Sequence, residues 1–173
     1  FFILVMAATF SGGVIDGLDG LAGGVLASSF SAYAGIAFFQ NQIDLAAFAA
    51  VVVGALLAFL WFNIPPARFY MGETGIMGLT TVLTVLAFLT DSVLILPIIA
   101  LPLVLAAGSS LIQLLSKRFF GRKIFKIAPL HHHLEAIGWP PYKITMRFWI
   151  IGVVFAVIGM VIALISKQIP PIL

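Results

Sequence analysis

Long apolar runs without a charged side chain divide this sequence, and they restrict the chain to a fold built inside a membrane. The runs lie between the following pairs of charged residues: Asp19 and Asp44, Asp44 and Arg68, Glu73 and Asp91, Asp91 and Lys117, and Arg147 and Lys167. Each run can hold a helix of about 20 residues, which is enough to cross the ~30 Å of hydrocarbon in a bilayer. Because 62% of the residues are hydrophobic and only 9% are charged, a soluble globular class is excluded.

The runs predict an all-α, polytopic helix bundle that forms a single membrane domain over residues 1–173. Full transmembrane helices are expected at residues 20–40, 45–62, 75–90, 93–116 and 147–166, with a truncated helix that ends near residue 15. Pro97 and Pro102 should kink the fourth of the full helices. Since the sequence starts at Phe1 within an apolar run, we expect the C-terminal portion of a longer protein whose N-terminal half is absent.

The basic residues indicate how the chain lies in the membrane. Counting the spans off alternately places nearly all of them on one face: Arg68, Lys117, Arg118, Arg122, Lys123, Lys126, Lys143 and Arg147. Lys167 falls on the other face. By the positive-inside rule, the crowded face is expected to be cytoplasmic. The net charge of +3 then reflects topology and attraction to anionic lipids or substrates, and it requires no nucleic acid.

The residues capable of chemistry share that face. Asp16, Asp19, Glu73 and Glu135 lie there, together with the three adjacent histidines at positions 131–133. A transport pathway would place ionisable groups near the middle of the spans, and the predicted spans carry no charged residue there. The sequence therefore favours a site carried by cytoplasmic loops, and a transporter or channel stays open as the weaker alternative.

The first candidate motif is "DGLDGLAGG", residues 16–24. Asp16 and Asp19 share a face of a helical turn because they are three residues apart. Gly17 and Gly20 would let a ligand approach backbone N–H groups. This pattern suits a nucleoside or a diphosphate bound with Mg²⁺, which needs only one or two carboxylates besides water and phosphate oxygens. A glycine-rich helix cap with two solvated aspartates would give the same pattern.

The second candidate motif is "FNIPPARFYMGETG", residues 62–75, in a loop between two spans. Arg68 offers a cation for a phosphate group, Tyr70 offers a ring for stacking on a base, and Glu73 brings a carboxylate to a helix start. Tyr and Arg are also common anchors at the membrane interface. The motif alone does not decide between the two interpretations.

The third candidate motif is the segment from Pro129 to Trp139, which holds His131, His132, His133 and Glu135. Three successive histidines cannot all reach one tetrahedral zinc ion from a helix, so a zinc site is not favoured. Imidazoles can instead donate hydrogen bonds to a sugar or diphosphate, or transfer protons near neutral pH. A basic amphipathic loop anchored at the interface by a tryptophan is the alternative.

In this order, the three motifs closely resemble the C-terminal half of the polyprenyl-phosphate N-acetylhexosamine-1-phosphate transferase superfamily. The triple histidine followed by Gly-Trp-Pro resembles the branch that handles N-acetylmuramoyl-pentapeptide. The resemblance implies a multi-pass protein of the bacterial inner membrane with its active site on the cytoplasmic face. It implies transfer of phospho-N-acetylmuramoyl-pentapeptide from its UDP carrier to undecaprenyl phosphate, with release of UMP, a requirement for Mg²⁺ and a homodimer as a further expectation.

The resemblance also assigns roles to residues at matching positions. The residues it implies for catalysis are Asp16, Glu73, His131, His132 and His133, with Glu73 and Asp16 as the metal ligands. The residues expected to bind substrate are Gly17, Leu18, Asp19, Asn63, Arg68 and Tyr70. Tyr70 stands where the family usually has a Phe that stacks on uracil, and Glu73 stands where it usually has an Asp.

Several departures from the family pattern keep two other interpretations open. Gly13 replaces a common Asn, and Pro141-Tyr142 replaces the usual Glu-Pro. The aspartate pair and a lysine of the family's site belong to the N-terminal half, so residues 1–173 alone are expected to be inactive. A non-catalytic membrane homologue acting as a scaffold would fit the departures at Gly13 and Glu73, and a related transferase for another N-acetylhexosamine phosphate also stays open.

Overall fold

The computed structural model describes residues 2–168, and over that range the chain forms helices and no strands. The elements are α1 (Phe2–Ile15), α2 (Leu21–Phe39), α3 (Ile43–Asn63), α4 (Gly72–Leu89), a 3₁₀ turn (Val93–Ile95), α5 (Leu96–Ile99), α6 (Leu101–Phe120), α7 (Leu130–Ala136) and α8 (Pro141–Gln168). By length and composition, five of the described helices (α2, α3, α4, α6 and α8) could cross a membrane. The predicted all-α fold with five full spans is confirmed.

The fourth predicted span, residues 93–116, differs from the structure because it is interrupted. Ala100 has φ −101° and ψ 34°, outside the helical region, and it separates the short α5 from α6. Pro102 has no backbone N–H to donate into a preceding turn, and its ring restricts what can precede it, so the new helix starts around it. α6 then continues through Lys117 and Arg118 to Gly121, whose φ of 62° ends the helix.

Helix α2 lies at the centre of the bundle and packs against α3 on one side and α8 on another. The adjacent residues Gly23 and Gly24 allow α3 and α8 to lie close to the α2 backbone. A methyl group at Gly23 would lie 2.8 Å from the Leu60 side chain of α3, and one at Gly24 would overlap the Trp149 ring of α8. Small residues at such contacts let membrane helices approach until their backbones nearly touch. Helix α1 packs separately, against α4 and α6.

The chain turns alternately at two ends of the bundle. The loops at residues 16–20 and 64–71 and the segment 121–140, which includes α7, lie at one end, here called the motif end. The turns at residues 40–42 and 90–92 lie at the other end, where Lys167 pairs with Asp91 at 2.9 Å. The three sequence motifs therefore share one end of the bundle, as the alternating count predicts.

Candidate functional site at the motif end

The first and third motifs are in direct contact. The rings of His131 and His132 lie on the backbone of Gly17, so that a methyl group added there would be 2.5 Å from His131 Nε2 and 2.7 Å from His132 Nε2. Real carbon atoms do not approach ring nitrogens so closely, so a side chain at position 17 would displace both rings. Glycine at this position thus makes room for two imidazoles beside the loop that connects α1 to α2.

Asn63 and Asp19 join the first motif to the second. Asn63 is only 5% exposed, and its Oδ1 accepts the Gly20 N–H at 3.0 Å while its Nδ2 donates to the Phe69 carbonyl at 2.8 Å. Asp19 Oδ2 accepts the Ala67 N–H at 3.0 Å. Both side chains were predicted to bind substrate, and in the structure both hold the backbone of the two loops together.

Two residues of α8 complete this arrangement, and the sequence analysis did not identify either. Thr145 Oγ1 donates to the Asp19 carbonyl at 3.1 Å, and Trp149 Nε1 donates to the Gly20 carbonyl at 3.0 Å. Gly20 itself has φ 74°, a conformation that glycine adopts without strain. The first loop is therefore fixed by hydrogen bonds from α3 and α8.

Asp16, just after the end of α1, and Glu73, in the first turn of α4, both lie at the motif end of two packed helices. Gly13 of α1 faces Met77 of α4, where an added methyl would be 3.7 Å from the methionine side chain. Asp16 lies three residues beyond Gly13, and Glu73 lies four residues before Met77. Because the two helices are antiparallel, each of these acidic residues is about 5 Å nearer the motif end than the contact between Gly13 and Met77. Glu73 is exposed in the first turn of α4, and Asp16 is exposed just after α1.

Two carboxylates at this end of the bundle match in number the modest protein contribution that Mg²⁺ needs. Magnesium commonly takes one or two protein carboxylates and completes its shell with water and substrate phosphate oxygens. Desolvation by the surrounding protein raises the pKa of the Asp16 carboxyl above its usual value, an electrostatic cost that a bound cation would offset. Among residues 2–168 no group of three or more His, Cys, Asp and Glu side chains is placed to hold a metal.

The three histidines of α7 have three different environments. His131 is fully buried, and neither of its ring nitrogens has a hydrogen-bond partner among the described residues. Burial, with the neighbouring His132 adding, lowers the pKa of His131 to about 4, so its ring is neutral at physiological pH. His132 Nδ1 lies 2.6 Å from Glu135 Oε2. His133 faces away from Gly17, since its Nδ1 accepts the Lys126 N–H at 3.2 Å.

The segment before α7 is held by polar residues of α6, and sequence reasoning missed these too. Gln113 Oε1 accepts the N–H groups of Ile124 and Phe125, each at 3.0 Å, and its Nε2 donates to the Phe125 carbonyl. Ser109 Oγ accepts the Leu130 N–H at 2.8 Å. The available sequence signal was Gln113 between two pairs of apolar residues in a predicted span, because a polar side chain placed there needs partners.

The remaining predicted residues lie in or around this loop cluster. Tyr70 is 69% exposed, and Arg68 is exposed while its backbone N–H donates to the Phe62 carbonyl at 2.8 Å. Leu18 is half-buried and packs against the core. The guanidinium of Arg147 lies over the Trp139 ring at 4.3 Å. The exposed Tyr70 ring and Arg68 side chain leave a stacking face and a cation free for a ligand.

Together, the spans and the polar loops that converge at one end define a polytopic helical membrane protein with a candidate site at its motif end. Residues 1–91, more than half of the chain, match the model of glycosyl transferase family 4. The chain belongs to that family.

Three curated relatives of the chain share one name. The chain is 43% identical over 147 residues to the phospho-N-acetylmuramoyl-pentapeptide-transferase of Anoxybacillus flavithermus, and the matched region covers 85% of this chain and 45% of that protein. The transferase of the same name from Bacillus subtilis is 40% identical over 166 residues, covering 94% of this chain and 51% of the relative. That from Rubrobacter xylanophilus is 39% identical over 156 residues, with 90% and 47% covered. The chain thus spans about half the length of these relatives.

Proposed function

We propose that the full-length protein transfers phospho-N-acetylmuramoyl-pentapeptide from its UDP carrier to undecaprenyl phosphate and releases UMP. The observation that carries the proposal is the contact of His131 and His132 with Gly17, which joins two sequence motifs into one polar site at the end of a membrane bundle. The shared name of relatives that are about 40% identical supports the same reaction. We also propose that the motif end faces the cytoplasm of a bacterial cell, since the basic residues gather there.

The residues at the motif end suit phosphoryl transfer between two anions. Such transfer depends mainly on positioning and on neutralising charge. Asp16 and Glu73 would hold Mg²⁺, which would neutralise part of the diphosphate charge. Tyr70 would stack on the uracil ring, and Arg68 would bind a phosphate oxygen. The neutral His131 would exchange hydrogen bonds with the sugar or the diphosphate without adding charge.

A groove beside the site suits an anionic lipid. It has a volume of about 500 Å³ and runs between α1 and α6 at the motif end. Phe10, Val14 and Leu114 line its apolar part, while Lys117, Lys123 and Lys126 contribute ammonium groups. A long apolar chain could pack on the helices while the lysines attract its phosphate, which supports undecaprenyl phosphate as the acceptor.

Transfer assays on the full-length protein test this proposal, because the chain described here covers only half of its relatives. UMP release should require UDP-N-acetylmuramoyl-pentapeptide, undecaprenyl phosphate and Mg²⁺ together. Preference for UDP-N-acetylglucosamine would instead identify a related hexosamine phosphate transferase. Binding of UMP without any turnover would favour a non-catalytic homologue, for which the departures at Gly13 and Glu73 are the motivating observation.

A further inference from the structure

Glu135 is the one acidic residue of the motif end to which neither the family resemblance nor the proposed reaction gives a role. It lies on α7, three residues after His132, and its Oε2 is 2.6 Å from His132 Nδ1. Both side chains are only about one-third exposed, 36% for His132 and 31% for Glu135. A contact this short, on side chains partly withdrawn from water, constrains the imidazole ring more than a fully solvated pair would.

The contact determines which edge of the His132 ring is available. A carboxylate can only accept hydrogen bonds, so Nδ1 must carry the proton that Glu135 binds. The opposite edge carries Nε2, which faces the Gly17 backbone, where an added methyl would be 2.7 Å away. Glu135 therefore sets both the tautomer and the direction of the His132 ring towards the first motif.

The His131 ring lies beside the Nε2 edge of His132. The His131 and His132 ring centroids are 4.4 Å apart, and His131 Nε2 also faces Gly17. His131 is fully buried, yet neither of its nitrogens has a hydrogen-bond partner among the described residues. Buried polar atoms nearly always have partners, so these two nitrogens mark the polar contact at Gly17 as incomplete within the described residues.

We propose that Glu135 is a positioning residue, which orients His132 so that its Nε2 contacts the polar part of the nucleotide sugar at Gly17. The inference rests on the transferase function proposed above. Residues that hold a ligand-binding imidazole by its other nitrogen have strong effects without touching the ligand. An ordinary helix-surface pair between residues three apart would instead leave catalysis unchanged.

Kinetics of the full-length enzyme distinguish the two roles. Glu135→Gln keeps the size of the side chain, but its amide N–H can donate to Nδ1 and stabilise the wrong tautomer. We expect kcat to fall about tenfold to a hundredfold, with KM changed less than about threefold. Glu135→Asp, which keeps an acceptor-only group, should retain more activity than Glu135→Gln. The matched control is Asp91→Asn, which removes a carboxylate paired with Lys167 at the opposite end and should keep wild-type kcat.

Nitrogen-15 spectra of histidine-labelled protein give a readout that does not depend on turnover. The His132 resonances, assigned by their loss in His132→Gln, should show a protonated Nδ1 in the wild type and a mixture of tautomers in Glu135→Gln. An unprotonated Nδ1 in the wild type, or wild-type kcat in Glu135→Gln, would overturn the role of Glu135. If the enzyme uses another nucleotide sugar, the predicted tautomers of His132 are unchanged, and only the substrate given under the proposed function is wrong.

Discussion

Asn63 Oδ1 accepts the backbone N–H of Gly20 at 3.0 Å, and this bond joins the end of α3 to the start of α2, 43 residues away in sequence. Nδ2 of the same side chain donates to the Phe69 carbonyl. Because the bond to Gly20 is buried, the Gly20 N–H would lack water as well as a partner if the amide were removed. One side chain thus determines how the first and second motifs lie relative to each other.

Replacing Asn63 with Leu should lower the free energy of unfolding by about 1–3 kcal/mol, since the buried Gly20 N–H and the part-buried Phe69 carbonyl lose their partner. Nucleotide binding should weaken as well, because loops 16–20 and 64–71 lose their connection. Thermal denaturation in detergent and UMP titration measure the two effects. Asn41→Gly serves as control, since Asn41 is exposed at the opposite end with φ 58°, which glycine accepts. An unchanged melting temperature in Asn63→Leu would contradict the role given to the amide.

The buried His131 should make stability fall in mild acid. The pKa of His131 is lowered from 6.5 to about 4 in the folded protein. As the pH falls below about 6.5, His131 therefore becomes protonated in the unfolded chain but stays neutral in the native state. The free energy of unfolding should therefore decrease between pH 6.5 and 4, by up to about 3 kcal/mol, and level off below that range.

The measurement for this prediction is the apparent melting temperature in detergent, followed from pH 7.5 to pH 4. His131→Asn should flatten the part of the profile that His131 contributes. His133→Gln is the matched control, because it removes an imidazole from the same helix but leaves His131 in place. An equal slope in wild type and His131→Asn would show that the ring is not buried in its neutral form.

The sequence predicted the spans well because a charge-free run of about 20 residues has few other uses. It also predicted that the motifs share one end, since alternating spans leave no other arrangement. The interruption at Ala100 was harder to predict from the sequence. Pro97 and Pro102 predicted a kink, but whether a helix bends or restarts depends on the helices packed around it. The start of α8 at Pro141 rather than residue 147 was missed, because the predicted span began where the charge-free run begins, at Arg147, and left Lys143 outside it.

The internal connections of the site could not be predicted, since they join residues far apart in the chain. The Trp149 bond to the Gly20 carbonyl spans 129 residues, and nothing in either local sequence specifies the partner. The three histidines appeared equivalent in the motif. On a helix, successive side chains diverge by about 100°, so only two of them reach Gly17 and the third turns towards Lys126.

The membrane orientation gives a prediction that underlies every proposal about the shared site. Cysteines placed at residues 67 and 128 of a cysteine-free full-length protein should react with an impermeant reagent only from the cytoplasmic side. A cysteine at residue 42 should react only from outside, because it lies in a turn at the opposite end of the bundle. Labelling of residues 67 and 128 from opposite sides would separate the second motif from the third and exclude a common site.

The last prediction concerns Glu73 in the full-length protein, because this residue is both a proposed metal ligand and a departure from the family pattern. If Glu73 holds Mg²⁺ against the diphosphate, Glu73→Gln removes the charge at nearly constant volume. Turnover should fall about a hundredfold or more, which corresponds to about 3 kcal/mol of transition-state stabilisation. UMP binding through Tyr70 should survive, and Glu73→Asp should keep substantial activity because the charge remains.

The alternative role for Glu73 is stabilisation of the first turn of α4, where a carboxylate interacts favourably with the helix dipole by about 0.3–1 kcal/mol. Asp44 supplies the matched control, since it is an exposed carboxylate in the first turn of α3 at the opposite end. Asp44→Asn should lose a similar amount of stability and no turnover. Full turnover by Glu73→Gln with unchanged Mg²⁺ dependence would remove Glu73 from the metal site, and Asp16 would then remain as the carboxylate of this chain that could bind the ion.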